Sequence, residues 1–65
     1  MIKVNGSELS GKEGMTVSEL VAEMGFRAML IAVEVNGTIV KKSDYESKKL
    51  SDGDKIEVVS FVGGG

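Results

Sequence analysis

The group in this sequence that is best suited to take part in a reaction is the carboxylate that follows the run Val62-Gly63-Gly64-Gly65. The chain contains no cysteine and no histidine, so it lacks a thiolate nucleophile, the usual general base and the commonest metal ligand. An α-carboxylate is ionised at neutral pH, which makes it a poor electrophile. If the carboxylate of Gly65 is the reactive group, another molecule must activate it before an oxygen can be replaced.

The terminal glycines suit a carboxylate that has to enter a narrow site. Four extended residues reach about 13 Å, and residues without a Cβ atom can pass through a channel that admits only backbone. We therefore expect a flexible tail over residues 63–65, with Gly64 needed for passage and Gly63 adding length. The alternative is a frayed or artificial end, since disorder concentrates at chain termini.

The composition favours one small domain that acts with other proteins. Sixty-five residues, of which 42% are hydrophobic, predict a single domain over residues 1–65 with no room for an active-site cleft, so we expect a protein that is not an enzyme. The net charge of -2 and the scattered basic residues argue against nucleic acid as a partner. The sequence shows neither a membrane span nor a signal peptide, which predicts a cytoplasmic location.

Two asparagine–glycine pairs predict two β-hairpins. Asn-Gly is the strongest short hairpin signal because both positions favour positive φ, and the pairs are Asn5-Gly6 and Asn36-Gly37. We expect the flanking strands at residues 1–4, 7–12, 30–35 and 38–40.

A helix is predicted between the hairpins. Thr16 and Glu19 have the spacing of a capping box, and Gly25 can supply the left-handed stop. The residues at i, i+3, i+4 and i+7 are predicted to face the core, and they are Val17, Leu20, Val21 and Met24. Met15 and Met29 are likewise interpreted as core residues rather than ligands.

A polar crossover and a last strand complete the pattern. Residues 41–51 are predicted to form a loop or a single helical turn pinned by Tyr45 and Leu50. Their lysines are interpreted as a solvated face rather than as a contact for an acidic partner. A turn at residues 52–54 leads into a final strand at residues 55–62. This order predicts an α+β fold in which one helix packs on one face of the sheet.

The final strand also predicts a binding surface. Ile56 and Val58 alternate with Val59 and Phe61, and one helix can cover only one side of the sheet. If the first pair is in the core, the second pair and Val62 form an exposed apolar patch where partner enzymes would bind. The alternative is that Phe61 packs onto its own loops.

Several segments, taken in their order and spacing, carry a joint signal. They are Val4-Asn5-Gly6, Thr16-Val17 with Glu19-Leu20, Val33-Glu34-Val35-Asn36-Gly37, Ser43-Asp44-Tyr45, Leu50-Ser51-Asp52-Gly53-Asp54 and Val62-Gly63-Gly64-Gly65. Together they resemble the ThiS family, the small sulfur carriers of thiazole (thiamine) biosynthesis, and the match runs nearly end to end. The resemblance implies a β-grasp, ubiquitin-like fold with a mixed sheet of four to five strands, in which the first and last strands are parallel. Residues 25–30, GFRAML, are more hydrophobic than the usual connection, which leaves open which of Phe26, Met29 and Leu30 are buried.

The same resemblance implies chemistry carried out by partners at Gly65. An E1-like adenylating enzyme would use ATP to attach AMP to the Gly65 carboxylate. Sulfur from a donor such as a cysteine desulfurase would displace AMP, and the resulting thiocarboxylate would supply sulfur to thiazole synthase. The chain itself would bind no cofactor.

Two alternative functions stay open at this point. One is a related carrier for molybdopterin formation, tRNA thiolation or protein conjugation, although chain length and the segment Ser43-Asp44-Tyr45 favour thiazole. The other is a non-covalent ubiquitin-like interaction module with an inert tail.

Overall fold

The computed structural model describes residues 1–61 as a five-stranded mixed sheet with one α-helix packed on one face. The elements are β1 (Ile2–Val4), β2 (Ser7–Leu9), α1 (Val17–Glu23), β3 (Ile31–Val35), β4 (Thr38–Val40) and β5 (Lys55–Ser60), with short 3-10 helices at Ala28–Leu30 and Lys42–Asp44. The strand order is β2-β1-β5-β3-β4; β1 and β5 are parallel and the other neighbours antiparallel. The predicted α+β, β-grasp fold is confirmed.

Both predicted hairpins are present with two-residue turns. Val4 pairs with Ser7 and Val35 with Thr38, and all four turn residues have positive φ, between 49° and 87°. Strand β2 ends at Leu9, earlier than expected, and the chain then turns at Gly11, which has a φ of 76°. The first strand of the second hairpin starts one residue late, since a 3-10 turn occupies Ala28–Leu30.

The turn asparagines have a second role that the sequence pattern did not predict. Beyond the end of β1, Asn5 Oδ1 accepts the N–H of Val58 at 2.8 Å and Asn5 Nδ2 donates to the Val58 carbonyl at 3.3 Å. Asn36 Oδ1 accepts the N–H of Lys55 at 2.9 Å and its Nδ2 donates to Asp54. Each side-chain oxygen thus accepts an N–H of β5 where a neighbouring strand has ended. The Asn5 amide group also donates to the backbone of β5, whereas that of Asn36 donates to the Asp54 carboxylate.

The start of α1 has an acceptor for each of its first three N–H groups. The first two donate to the carbonyls of Lys48 at 2.9 Å and Tyr45 at 2.8 Å. The third, from Glu19, donates to Thr16 Oγ1 at 3.1 Å, while Glu19 Oε1 accepts the N–H of Thr16 at 2.9 Å. The predicted capping box is confirmed, and the crossover supplies the two remaining acceptors. Without them, the first two N–H groups of α1 would have to donate to water.

Replacing Thr16 by alanine is expected to lower the free energy of unfolding by about 1 kcal/mol, because the N–H of Glu19 loses its acceptor. Urea denaturation measures this change. Thr16→Ser is the matched control, since serine keeps the hydroxyl and should remain close to wild type. Equal losses in both variants would contradict the cap and indicate that the Thr16 methyl group matters instead.

The end of α1 corrects one sequence prediction. Gly25 adopts a φ of 83°, and its N–H and that of Phe26 donate to the carbonyls of Ala22 and Val21, both at 3.1 Å. This reversal brings Phe26 against the core, where it is half-buried. Met24, predicted to face the core, is instead 38% exposed, because the helix ends before it and Phe26 packs against the core from beyond the turn.

The core lies between α1 and the helix-side face of the sheet. It consists of Ile2, Val4, Val17, Leu20, Val21, Ile31, Val33, Val35, Tyr45, Leu50, Ile56 and Val58. Tyr45 and Leu50 are both buried, which confirms them as the anchors of the crossover. Of the three residues whose burial was left open, Phe26 and Leu30 are half-buried, whereas Met29 is exposed on the 3-10 turn before β3. The interpretation of Met29 as a core residue is therefore wrong. Within residues 1–61, no helix is long and apolar enough to cross a membrane.

Candidate functional site

The candidate site is the face of the sheet opposite α1, at the end of β5. Ile56 and Val58 on the helix side are buried, whereas Val59 and Phe61 on the open side are 55% and 64% exposed. The predicted alternation is therefore present, and Phe61 is not buried under its own loops. Whether Val59 and Phe61 bind partners stays a prediction.

Neighbouring strands extend this apolar surface. Val59 lies directly across from Ala32 of β3, and Ile39 of β4, which is also largely exposed, lies across from Glu34 on the same face. We refer to Ala32, Ile39, Val59 and Phe61 as the open-face patch. Ile39, Val59 and Phe61 are exposed and Ala32 is half-buried. Neighbouring exposed apolar side chains on one face of a small domain are typical of a protein-binding surface.

Phe61 is the last described residue before the predicted tail, and it has two attachments. Its N–H donates to the carbonyl of Leu30 at 2.8 Å, which adds one hydrogen bond beyond the end of β5. Its ring lies beneath the ammonium group of Lys42, with Lys42 Nζ 5.8 Å from the ring centroid. Lys42 Nζ also donates to the carbonyl of Met29 at 3.1 Å.

The titratable groups with shifted pKa values lie elsewhere. The Met1 ammonium group contacts Asp52 and Glu13 at the opposite end of β5 from Phe61. Its hydrogen bond to Asp52, followed by that to Glu13, raises its pKa, and the same contacts lower the pKa of each carboxyl group. Burial raises the pKa of the Tyr45 hydroxyl. These shifts concern the start of β5 and the core rather than the open-face patch.

The described residues assemble no metal centre: among residues 1–61, no group of three or more Asp or Glu side chains is arranged to hold a metal ion. Val62, Gly63, Gly64 and Gly65 lie outside the described part of the chain. Their predicted roles, partner binding for Val62, passage for Gly63 and Gly64 and modification for Gly65, therefore stay predictions. What the structure does define is the point from which they depart, at Phe61.

Comparison with known proteins identifies relatives over nearly the whole chain. The sequence model of the ThiS family matches residues 2–65. The chain is 36% identical over 66 residues to the sulfur carrier protein ThiS of Bacillus subtilis, and the alignment covers 100% of both proteins. A crystal structure of the thiamine biosynthesis protein ThiS from Geobacter metallireducens is similar with a TM-score of 0.78 and 33% identity, covering 98% of this chain and 97% of that one.

Two further relatives are much longer than this chain. It is 45% identical over 62 residues to a thiazole synthase of Paramagnetospirillum magneticum and 38% identical over 64 residues to one of Magnetococcus marinus. The alignments cover 95% and 98% of this chain but only 19% and 20% of those proteins. The chain thus spans about a fifth of their length.

Proposed function

The chain belongs to the ThiS family, and we propose that it is a sulfur carrier for thiazole formation whose reactive group is the Gly65 carboxylate. The observation that supports this most is the alignment with the Bacillus subtilis sulfur carrier, which covers both proteins completely. In this proposal the chain is a protein substrate and not an enzyme. It acts in the cytoplasm, where ATP is available to its partners.

The proposed reaction begins with activation of the carboxylate. A carboxylate oxygen of Gly65 attacks the α-phosphorus of ATP, pyrophosphate leaves, and an acyl adenylate forms on an E1-like enzyme. A sulfur nucleophile then attacks the carbonyl carbon and AMP leaves, so that a C–S bond replaces the C–O bond. If the nucleophile is a persulfide from a cysteine desulfurase, a thiol must then reduce the S–S bond to release the thiocarboxylate.

Thiazole synthase is the proposed acceptor of the sulfur. Support comes from the two relatives named thiazole synthase, each of which contains a segment similar to 95% or more of this chain. A carrier covalently joined to a synthase would act on it at high effective concentration. A separate carrier chain must instead recognise the synthase through its surface, and the open-face patch is the proposed contact.

Loading with sulfur tests the proposed function directly. Purified protein is incubated with the adenylating enzyme, ATP and a sulfur donor, and intact mass spectrometry measures the product. We expect a mass increase equal to the exchange of one oxygen for sulfur, located in the last peptide. Omitting ATP is the control. No exchange with active enzyme and donor would contradict the proposal.

Deleting the gene separates the pathways. Thiamine auxotrophy that the wild-type gene relieves would support thiazole formation. A requirement for molybdopterin, or loss of tRNA thiolation without a thiamine requirement, would contradict it and favour a related carrier.

Polar replacement in the open-face patch is expected to weaken partner binding. The variants are Val59→Ser and Phe61→Ser. Each removes an exposed apolar side chain, so the free energy of unfolding should change little. If the side chain lies at the centre of an interface, its loss should raise KM roughly tenfold or more. Steady-state kinetics with the adenylating enzyme and with thiazole synthase, each at varied carrier concentration, measure this. Met24→Ser is the matched control, because Met24 is exposed on the helix side and should leave KM unchanged. Equal effects in all three variants would contradict a role specific to the patch.

A further inference from the structure

Lys42 contacts the point from which the predicted tail departs. It is the first residue of the 3-10 helix Lys42–Asp44 in the crossover, far in sequence from β5. Its ammonium group nevertheless lies 5.8 Å from the centroid of the Phe61 ring and donates to the carbonyl of Met29 at 3.1 Å. One cation thus joins the crossover, the turn before β3 and the residue that follows β5.

These contacts contribute little packing to the domain. Phe61 and Met29 are 64% and 72% exposed, so the contacts remove little apolar surface from water, and a cation over an exposed ring is a weak interaction. Their main physical effect is to restrict Phe61. The Leu30 carbonyl holds its backbone N–H at 2.8 Å, while Lys42 limits the orientation of its side chain.

Restriction at Phe61 matters for a reactive group carried on a tail. The carboxylate must approach the α-phosphorus of ATP in line. It reacts faster when the residue that carries the tail has one fixed orientation, because the carboxylate then samples fewer unproductive orientations. Each residue whose backbone is released adds conformational entropy that must be removed before reaction. The start of the tail is therefore where a single contact has the greatest effect on delivery.

We infer that Lys42 is a positioning residue, which contacts the Phe61 ring while bound to the Met29 carbonyl and thereby restricts Phe61, the residue from which the Gly65 carboxylate must be delivered to the partner's adenylating site. The inference rests on the proposed function, since it assigns Lys42 a role in delivering the Gly65 carboxylate. Lys42 does not touch the reacting atoms in this assignment.

Four variants separate positioning from charge. Lys42→Ala removes the cation and the donor, Lys42→Met keeps the side-chain length without either, and Lys42→Arg keeps both. Lys41→Ala is the matched control, because Lys41 carries the same charge next in sequence and forms no side-chain hydrogen bond or ion pair within residues 1–61. Lys42 is exposed, so all four variants should fold, which circular dichroism verifies.

Two measurements are made on each variant. The first is ATP–pyrophosphate exchange catalysed by the adenylating enzyme at varied carrier concentration, which separates kcat from KM. The second is the amide order parameter of Phe61 from NMR relaxation. We expect Lys42→Ala and Lys42→Met to lower kcat about two- to fivefold with little change in KM, since only an exposed cation–π contact is lost while the N–H of Phe61 keeps its bond to Leu30, and to lower the order parameter of Phe61. Lys42→Arg should restore both values, and Lys41→Ala should match wild type.

The inference is overturned if Lys42→Ala leaves kcat and the Phe61 order parameter unchanged. It is also overturned if Lys42→Ala and Lys41→Ala raise KM equally, because both lysines would then serve only as charges for docking. If even the wild-type protein supports no exchange with an active enzyme, the proposed function itself is wrong. The relaxation measurement then still decides whether Lys42 orders Phe61.

Discussion

Deleting Gly65 is expected to abolish thiocarboxylate formation while leaving the fold unchanged. The deletion moves the carboxylate back by one residue, about 3.5 Å along an extended chain. A displacement of only 1 Å from reactive geometry can cost roughly 100-fold in rate, so the shortened chain should react more than 100-fold more slowly. The core ends at Val58, and thermal unfolding should therefore be the same for both chains.

Two matched variants separate the position of the terminal carboxylate from its chemical reactivity. A chain with a C-terminal amide has the same length but no ionised oxygen to attack ATP, and it should give no adenylate. A chain extended by one further glycine keeps the carboxylate but places it about 3.5 Å too far, and it should also react slowly. Efficient sulfur loading of the truncated protein would show that Gly65 is not the modified residue.

The parts of the fold that could be predicted from the sequence are those specified by adjacent residues. An asparagine followed by glycine needs little besides its own backbone energetics to form a two-residue turn, and Asn5 has a φ of 49° as expected. The capping box likewise depends on the short separation between Thr16 and Glu19. Both signals remain valid without any knowledge of the tertiary structure.

Contacts between distant residues were not predictable in the same way. Asn5 bonds to Val58 across 53 positions of sequence, and this requires β1 and β5 to be parallel neighbours in one particular register. The two-residue turn already accounts for asparagine at this position. The sequence pattern therefore gives no sign that the Asn5 side chain also bonds to β5. The family resemblance predicted the parallel pairing, but not the side-chain bonds that extend it.

In the candidate site, too, features set by adjacent residues were predictable and contacts between distant residues were not. Alternation along β5 was sufficient to predict that Val59 and Phe61 share a face, because side chains of a strand point to opposite sides in turn. The addition of Ile39 depends on β4 lying beyond β3 in the sheet. The Lys42 contact depends on the 3-10 helix in the crossover. The polar sequence there predicted a loop or a single helical turn, but not that Lys42 would contact Phe61.

Replacing Leu20 by alanine is expected to cause the largest loss of stability among substitutions on α1. Leu20 is 1% exposed, and removing a buried leucine side chain typically costs about 3–5 kcal/mol through lost burial and a residual cavity. A domain of this length has a total stability of roughly 3–10 kcal/mol. The melting temperature should therefore fall by about 15 °C or more, and calorimetry measures it.

Met24→Ala is the decisive comparison, because the helical spacing placed Met24 on the same buried stripe as Leu20. The structure instead ends α1 at Glu23 and leaves Met24 38% exposed, so this substitution should change stability by about 0.5 kcal/mol or less. Within α1, alanine is at least as good a helix former as leucine, so a loss of stability in Leu20→Ala reports lost burial rather than lost helix propensity. Similar losses in the two variants would mean that the stripe continues past Glu23 and that the reversal at Gly25 does not displace Met24 from the core.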